Sequence, residues 1–387
     1  MMKRLTWMSF LLLSLFPAWA ASKKFTVDQL KDKLVSLQQM KKPDHEVATQ
    51  LKEVELTEEL TQSSAESLAT YLPGPESSAE IEILEGRTAV LFPPAADLPN
   101  DAAPDVAAQR ALLAKTVNYV MKIYMHSPHL VTSKTTSRYQ DGVEYIRTNS
   151  GVANGSADNN PNWQKANPFM HLLGSHTATV ETENGIEKPP STKNKSPWSQ
   201  NGQTSEGGPG PILSVILQDA AAGGKLQWLH WEILDGKKTA VFSFAVDPKK
   251  SHYLVDYCCF PVTSQAGALY YVPQANMQTG VDWKPFKATV GYHGRFFIDP
   301  DTGTVVRLIT QAELKSTDPV HQEDMRIDYG PVTVGPSTHT LPLNTFTITE
   351  VVPNGDDAGA TFSVRHTLFR ASYKDYRPTE EKSATGN

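Results

Sequence analysis

The feature that most constrains the fold is a series of short runs rich in Thr, Val, Tyr and Phe, which begins near residue 130. Asp-Gly and Asn-Gly dipeptides, which favour tight hairpin turns because both residues tolerate a positive φ, separate these runs. They are Asp141-Gly142, Asn184-Gly185 and Asp235-Gly236, with a longer turn at 299–303. The series therefore predicts an antiparallel sheet built from successive hairpins.

The part of the chain before this series has helical periodicity. Thr26 and Gln29 have the spacing of a capping box, and apolar residues follow at positions 27, 30, 34 and 37. Similar stripes predict helices near 44–54, 57–72 and 105–124, whereas residues 80–93 fit a helix or a strand. Helices this short are unstable in isolation, so we expect them to pack on the sheet. The predicted fold class is α+β, with N-terminal helices packed on a large, curved, half-barrel-like antiparallel sheet.

The first twenty residues have the three parts of a secretory signal peptide. Lys3 and Arg4 supply positive charge, residues 5–16 are mostly apolar, and small residues precede a cleavage point after Ala20. This pattern predicts a signal peptide over 1–20 and a periplasmic or secreted protein; an N-terminal membrane anchor is the alternative. No later stretch is long and apolar enough for a bilayer, so we expect no membrane span after signal removal.

Composition divides the remaining chain into three parts. We expect a helical region over 21–127, an antiparallel β domain over 128–375 and a disordered tail over 376–387. Within the β domain, residues 189–211 are rich in Pro, Ser, Gly, Asn and Lys, a composition that predicts a mobile surface loop.

Charge and motifs exclude several functional classes. The chain has 36 basic and 42 acidic residues, so no basic patch points to nucleic acid. The sequence has no phosphate-binding loop, dinucleotide fingerprint or nucleophile elbow, and we expect no cofactor. Cys258 and Cys259 are adjacent, whereas zinc ligands are spaced. These two cysteines either form a vicinal disulfide or are small buried apolar residues on opposite faces of a strand.

Aromatic residues are concentrated in the β region and supply the first functional hypothesis. A curved sheet with such a face can hold an apolar ligand, since ligand pockets are mostly apolar with a few polar groups. The candidate ligand-binding residues are Trp228, Trp231, Phe242, Phe244, Tyr253 and Tyr257. The hypothesis is an exported, non-enzymatic protein that binds a lipid or another apolar molecule. An ordinary core between sheet and helices is the alternative interpretation of the same residues.

Two other functions fit the sequence. One is a sensor or protein-interaction module whose partner is another protein of the cell envelope. The other is a metal-dependent hydrolase built on His230 and Glu232, which share a strand face, and Asp256 from a later strand. A solvated strand face with cross-strand polar pairs explains the same three residues without chemistry.

Several segments resemble a family of uncharacterised exported proteins from soil bacteria of the acidobacterial type. They are TVNYV (116–120), GPILSVILQDAAAGGKLQWLHWE (210–232), SHYLVDYCCFP (251–261), YHGRFFIDPDTGTVVRLITQAEL (292–314) and DMRIDYGPVTV (324–334). That family implies no activity. The strand–turn–strand pattern around the Asp-Pro-x-x-Gly turn at 299–303 also resembles the half-barrels of the lipoprotein carriers LolA and LolB and the envelope sensor RseB. This second resemblance implies a curved sheet, capped by helices, that holds acyl chains.

Overall fold

The computed structural model describes most of the chain from residue 23 onward. The described residues are 23–122, 126–144, 165–183, 186–188, 202–203, 213, 216–220, 222, 224–261, 283–351 and 365–379. The predicted signal peptide lies outside the described residues. So does the predicted loop 189–211, apart from Gly202 and Gln203, which form a short strand.

Five α-helices occupy the described N-terminal region. They are α1 (Val27–Gln39), α2 (Asp44–Lys52), α3 (Gln62–Ala69), α4 (Pro75–Arg87) and α5 (Val106–Lys122). The capping box at the start of α1 is present, and its four predicted apolar positions are all buried. The helix expected over 57–72 is shorter because Thr61 caps α3 through its side chain. The ambiguous stretch 80–93 is helical up to Arg87.

The described residues form fifteen strands. They are β1 (Lys23–Phe25), β2 (Val54–Leu56), β3 (Leu130–Glu144), β4 (Lys165–Glu183), β5 (Ile186–Glu187), β6 (Gly202–Gln203), β7 (Lys225–Leu234), β8 (Lys237–Val246), β9 (Leu254–Pro261), β10 (Trp283–Thr289), β11 (Gly291–Ile298), β12 (Val305–Glu313), β13 (Val320–Val334), β14 (Ser337–Val351) and β15 (Arg365–Pro378). Ten of them form one antiparallel sheet in the order β5-β4-β3-β15-β14-β13-β12-β11-β8-β7. Across the described residues this sheet is not closed. The predicted α+β class is therefore confirmed, and an open sheet is compatible with a half-barrel.

The predicted turns were right at two positions and wrong at one. Asp235 and Gly236 have φ values of 50° and 75° and connect β7 to β8. Residues 299–303 form the turn between β11 and β12, where Gly303 has a φ of 78°. The hairpin expected at Asp141 does not form, because β3 continues through this position with a register shift beside it. The Asp141 carboxylate accepts hydrogen bonds from the backbone and ring of His366 on β15, which holds it against the sheet.

One face of the large sheet, the helix-side face, packs against the N-terminal region. Ile83 of α4 and Ala89 join a hydrophobic cluster with Tyr139, Phe346 and Leu368 of the sheet. A buried ionic contact adds to this packing: Glu59 accepts from Arg307 at 2.9 Å and from Arg326 at 2.8 Å, and all three side chains are buried. The N-terminal helices therefore pack on the sheet as the sequence predicts.

The opposite face, the aromatic face, packs against α5 and a second, three-stranded sheet. That small sheet has the order β10-β9-β6. Leu112 and Val120 of α5 belong to the same hydrophobic cluster as Phe242, Phe296 and Ile327 of the large sheet. The large sheet is thus covered on both faces, so its alternate residues are buried on either side.

The end of β15 differs from the predicted disordered tail, which was expected to start at 376. Strand β15 continues to Pro378, because the Tyr376 hydroxyl donates to the carbonyl of Pro342 at 2.7 Å. The backbone N–H of Thr379 donates to the carbonyl of His129 at 3.2 Å. In the part of the chain that the structure describes, no helix combines the length and apolar character needed to cross a membrane.

Candidate functional site

The six predicted aromatic residues lie in one hydrophobic cluster on the aromatic face. Phe242 and Phe244 alternate towards this face from β8 and are buried. Tyr253 and Tyr257 come from the small sheet and are buried against them. Trp228 and Trp231 are half-buried at the margin, on the edge strand β7.

A β-bulge brings both tryptophans to this face. In a regular strand Trp228 and Trp231 would point to opposite faces, because side chains alternate. The register shifts between Trp228 and His230, so that Trp228 pairs with Phe242 and Trp231 pairs with Ala240. The two indole centroids are 4.9 Å apart, and the Trp228 ring lies 5.3 Å from that of Phe242.

The rings of this cluster pack on one another. The Phe244 ring centroid lies 4.7 Å from that of Phe296 and 5.9 Å from that of Tyr292, and the Tyr253 and Tyr292 centroids are 5.2 Å apart. These separations are typical of aromatic pairs in a core. They fit the alternative interpretation of an ordinary core between sheet and covering elements. Ligand binding by the six rings themselves stays a prediction.

Cys258 and Cys259 lie in β9, and Cys258 pairs with Gly202 of β6. Their side chains lie outside the described part of the chain, so the predicted vicinal disulfide stays a prediction.

The structure separates the three residues of the hydrolase hypothesis. His230 and Glu232 lie on the helix-side face, where His230 Nε2 is 3.0 Å from Glu232 Oε2. Asp256 lies on β9 of the small sheet and forms an ion pair with Lys287 at 2.5 Å. β9 pairs with β10 and β6, and β8 separates β7 from the rest of the large sheet. Within the described residues, no three His, Cys, Asp or Glu side chains are grouped to hold a metal ion.

Beside the aromatic cluster, a row of polar side chains crosses five adjacent strands of the large sheet. We call it the polar row. Its members are direct cross-strand partners of one another: Glu323 on β13, Thr349 on β14, Thr367 on β15, Gln140 on β3 and His171 on β4. The row lies on the aromatic face, since Glu323 alternates with Ile327 and Met325 of the aromatic cluster. The Tyr253 hydroxyl joins the two, donating to Glu323 Oε1 at 3.5 Å.

Two hydroxyls of the polar row are buried without a hydrogen bond. Thr349 is 0% exposed and Thr367 is 1% exposed, and neither Oγ1 atom has a partner. The two residues are opposite each other on neighbouring strands, where Cβ atoms are about 4.5–5.5 Å apart. A buried hydroxyl without a partner destabilises a protein by about 1–3 kcal/mol. Two such groups side by side point to a polar atom that is not part of this chain.

Charges of opposite sign flank these hydroxyls. Glu323 lies next to Thr349, and on the other side Arg138 donates through Nη2 to Gln140 Oε1 at 3.1 Å. The Arg138 guanidinium also lies 5.4 Å from the ring centroid of Phe369. Burial, and then the Glu323 charge, raise the pKa of Tyr253 well above its usual value. Tyr253 therefore stays protonated and donates to Glu323.

Sequence reasoning missed the polar row for a clear reason. Each of its residues is a polar position in an alternating strand, a pattern that normally marks a solvent-facing side. What makes them a group is their register across five strands, and those strands are far apart in sequence. The available signal was the Thr-rich composition of strands that have apolar residues on both faces.

The comparisons add no relative to this geometry. No family model matches the chain, and no curated protein or solved structure matches it. The function has to be argued from the residues of the site.

Proposed function

We propose that this chain is an exported, non-enzymatic binding protein that holds a small amphiphilic molecule on the aromatic face. The polar group of the ligand lies on the polar row, and its apolar part lies beside the aromatic cluster. The observation that carries this proposal is the pair of buried, unpartnered hydroxyls of Thr349 and Thr367.

The chemistry of the row favours an uncharged polar group. A Thr hydroxyl donates one hydrogen bond and accepts two, so one ligand atom can satisfy both threonines. Towards Glu323 the ligand has to donate, because a carboxylate only accepts. Towards Gln140 and Arg138 it has to accept. An alcohol or a primary amide meets both requirements, whereas a carboxylate would face Glu323 with a like charge.

Apolar surface lies next to the row on the same face. Met325 is two residues from Glu323, and Val351 is two residues from Thr349; both are buried in the aromatic cluster. Burial of a hydrocarbon chain there is worth about 0.8 kcal/mol per CH₂ group. Such a ligand matches the acyl-chain binding that the resemblance to half-barrel carriers implies.

The position of the row in the sheet supports direct access. Thr349 lies two residues before the end of β14 at Val351, and Thr367 lies two residues after the start of β15 at Arg365. A ligand that enters at this end of the sheet reaches both hydroxyls without crossing the packed aromatic rings.

Titration with a medium-chain primary alcohol tests the proposal. We expect the wild-type protein to bind the alcohol, and Thr349→Val and Thr367→Val each to weaken binding at least tenfold, because valine keeps the shape and removes the hydroxyl. Thr347→Val is the matched control, since Thr347 is half-buried on the same face of β14 and lies outside the row. Equal binding by all four proteins, or no binding by the wild type, would overturn the proposal.

A further inference from the structure

A second unusual group lies on the helix-side face, below the segment that follows α4. Arg295 of β11 is 6% exposed and donates through Nη2 to the carbonyls of Val90 at 2.8 Å and Leu91 at 2.9 Å. Its other terminal nitrogen, Nη1, is buried and has no hydrogen-bond partner. Arg295 thus holds the segment above it with one nitrogen and leaves a second donor unused.

The neighbouring arginines on this face differ from Arg295. Arg307 and Arg326 both contact Glu59, and Arg370 contacts Glu85 at 3.3 Å. Among the described residues, Arg295 has no carboxylate in ion-pair contact, and its partners are neutral carbonyls. Buried charges in proteins are normally paired, because an isolated charge is costly to remove from water. An anion from outside the chain would complete the pattern that the other three arginines show.

The nearest carboxylate on β7 is already engaged. Glu232 has a buried side chain, and its Oε2 is 3.0 Å from His230 Nε2. Burial lowers the pKa of Arg295, while the charge of Glu232 opposes this shift. The guanidinium keeps its positive charge, since arginine does not lose its proton in proteins. Glu232 therefore influences Arg295 through space without giving Nη1 an acceptor.

Phe92 covers this group from the solvent side. Its ring centroid lies 4.5 Å from the guanidinium carbon of Arg295 and 6.2 Å from the ring centroid of His230. Phe92 is 55% exposed, so its ring is at the surface while Arg295 is beneath it. A change of rotamer of this single side chain is enough to expose the unused donor.

We infer that the space beneath Phe92 is a binding site for a small oxyanion, a carboxylate or a phosphate, which accepts a hydrogen bond from Arg295 Nη1. Phe92 acts as its cover, and His230 forms the neighbouring wall. The contact is a charge-assisted hydrogen bond, which is stronger than a neutral one and is the type of bond by which arginine binds carboxylate and phosphate. This site is on the opposite face of the sheet from the polar row and does not depend on the proposed function.

Thermal shift and calorimetric titration with inorganic phosphate and with acetate test the inference, using sodium chloride at matched ionic strength as the reference. We expect at least one of the two anions to raise Tm above the chloride reference, and the two titrations tell which oxyanion the site prefers. Arg295→Lys removes Nη1 and keeps the charge; it should weaken binding at least tenfold. His293→Ala is the control, because His293 is exposed on the same face of β11.

Phe92→Ala keeps the test decisive if Arg295→Lys fails to fold. Phe92 is exposed, so its truncation should leave the fold intact, and loss of the cover should raise the dissociation constant at least threefold. The inference is overturned if neither anion exceeds the effect of chloride. It is also overturned if a folded Arg295→Lys, or Phe92→Ala, binds like the wild type.

Discussion

At the scale of single residues, the two threonines of the polar row are where the sequence and the fold disagree most. Both are placed by good β-propensity, yet the fold buries their hydroxyls without a partner. Proteins tolerate such groups mainly at functional positions, where stability is lost in favour of binding. This conflict makes a stability prediction that differs from the usual result of a core mutation.

Thr349→Val and Thr367→Val should stabilise the ligand-free protein. Removal of an unpartnered buried hydroxyl without change of shape should raise the free energy of unfolding by about 1 kcal/mol for each variant. Urea unfolding of delipidated protein measures this change, with Thr347→Val expected within about 0.5 kcal/mol of the wild type. A loss of 1 kcal/mol or more in either variant would mean that the hydroxyl is satisfied within the chain.

His366 gives a residue-scale prediction for pH. The hydrogen bond to Asp141 is the main cause that raises the pKa of His366 above its usual 6.5, and the charges of Asp141 and Glu350 add to it. Burial and, more weakly, the charge of Arg87 oppose this shift. Because the folded pKa is above the unfolded one, protonated His366 stabilises the fold fully below pH 6.5. That stabilisation is lost as the pH rises through the raised pKa.

Urea unfolding over a series of pH values checks this prediction. The wild type should lose stability as the pH rises from 6.5 through the raised pKa, and His366→Gln should lack that component. An identical pH dependence of the two proteins would show that the Asp141–His366 pair does not stabilise the fold.

At the scale of elements, local signals predicted what local forces decide. The capping box and apolar stripe of α1, and the Asp235–Gly236 turn, formed as the sequence indicates, since each depends on residues close together in the chain. The predicted turn at Asp141 failed because a partner 225 residues away, His366, holds this position in the sheet. The bulge of β7, which brings Trp228 and Trp231 together, likewise depends on its pairing with β8.

The buried contact between Glu59 and two arginines joins the N-terminal region to the strands β12 and β13. Glu59→Gln should lower the free energy of unfolding by about 3–5 kcal/mol, because it leaves Arg307 and Arg326 with less compensating charge in a buried site. Chemical unfolding measures the change, and Glu53→Gln is the control because Glu53 is exposed. A loss below about 1 kcal/mol would show that Asp328 alone compensates both arginines.

At the scale of the whole molecule, the strand order determines which side chains form a site. The sequence predicts an antiparallel sheet and its aromatic face, but it does not contain the register that lines up Glu323, Thr349, Thr367 and Gln140 across four strands. It also does not show that β9 leaves the large sheet, which separates Asp256 from His230 and Glu232. The aromatic residues were therefore easier to predict than the polar row beside them.

The same topology joins an apolar and a polar surface on one face of an open sheet. The aromatic cluster is packed by its own rings, so space for a guest has to lie next to it rather than within it. The polar row supplies unused hydrogen-bonding groups at that position, and the flanking Met325 and Val351 supply apolar contact. This combination is the reason for proposing an amphiphilic ligand rather than a purely apolar one.

Native mass spectrometry of the protein purified without detergent tests this central claim most directly. The account predicts that the wild-type protein carries a bound small molecule of defined mass, and that the double variant Thr349→Val and Thr367→Val, although folded, is purified without it. A wild-type protein that never carries such a molecule, or a double variant that carries the same load, would contradict the account.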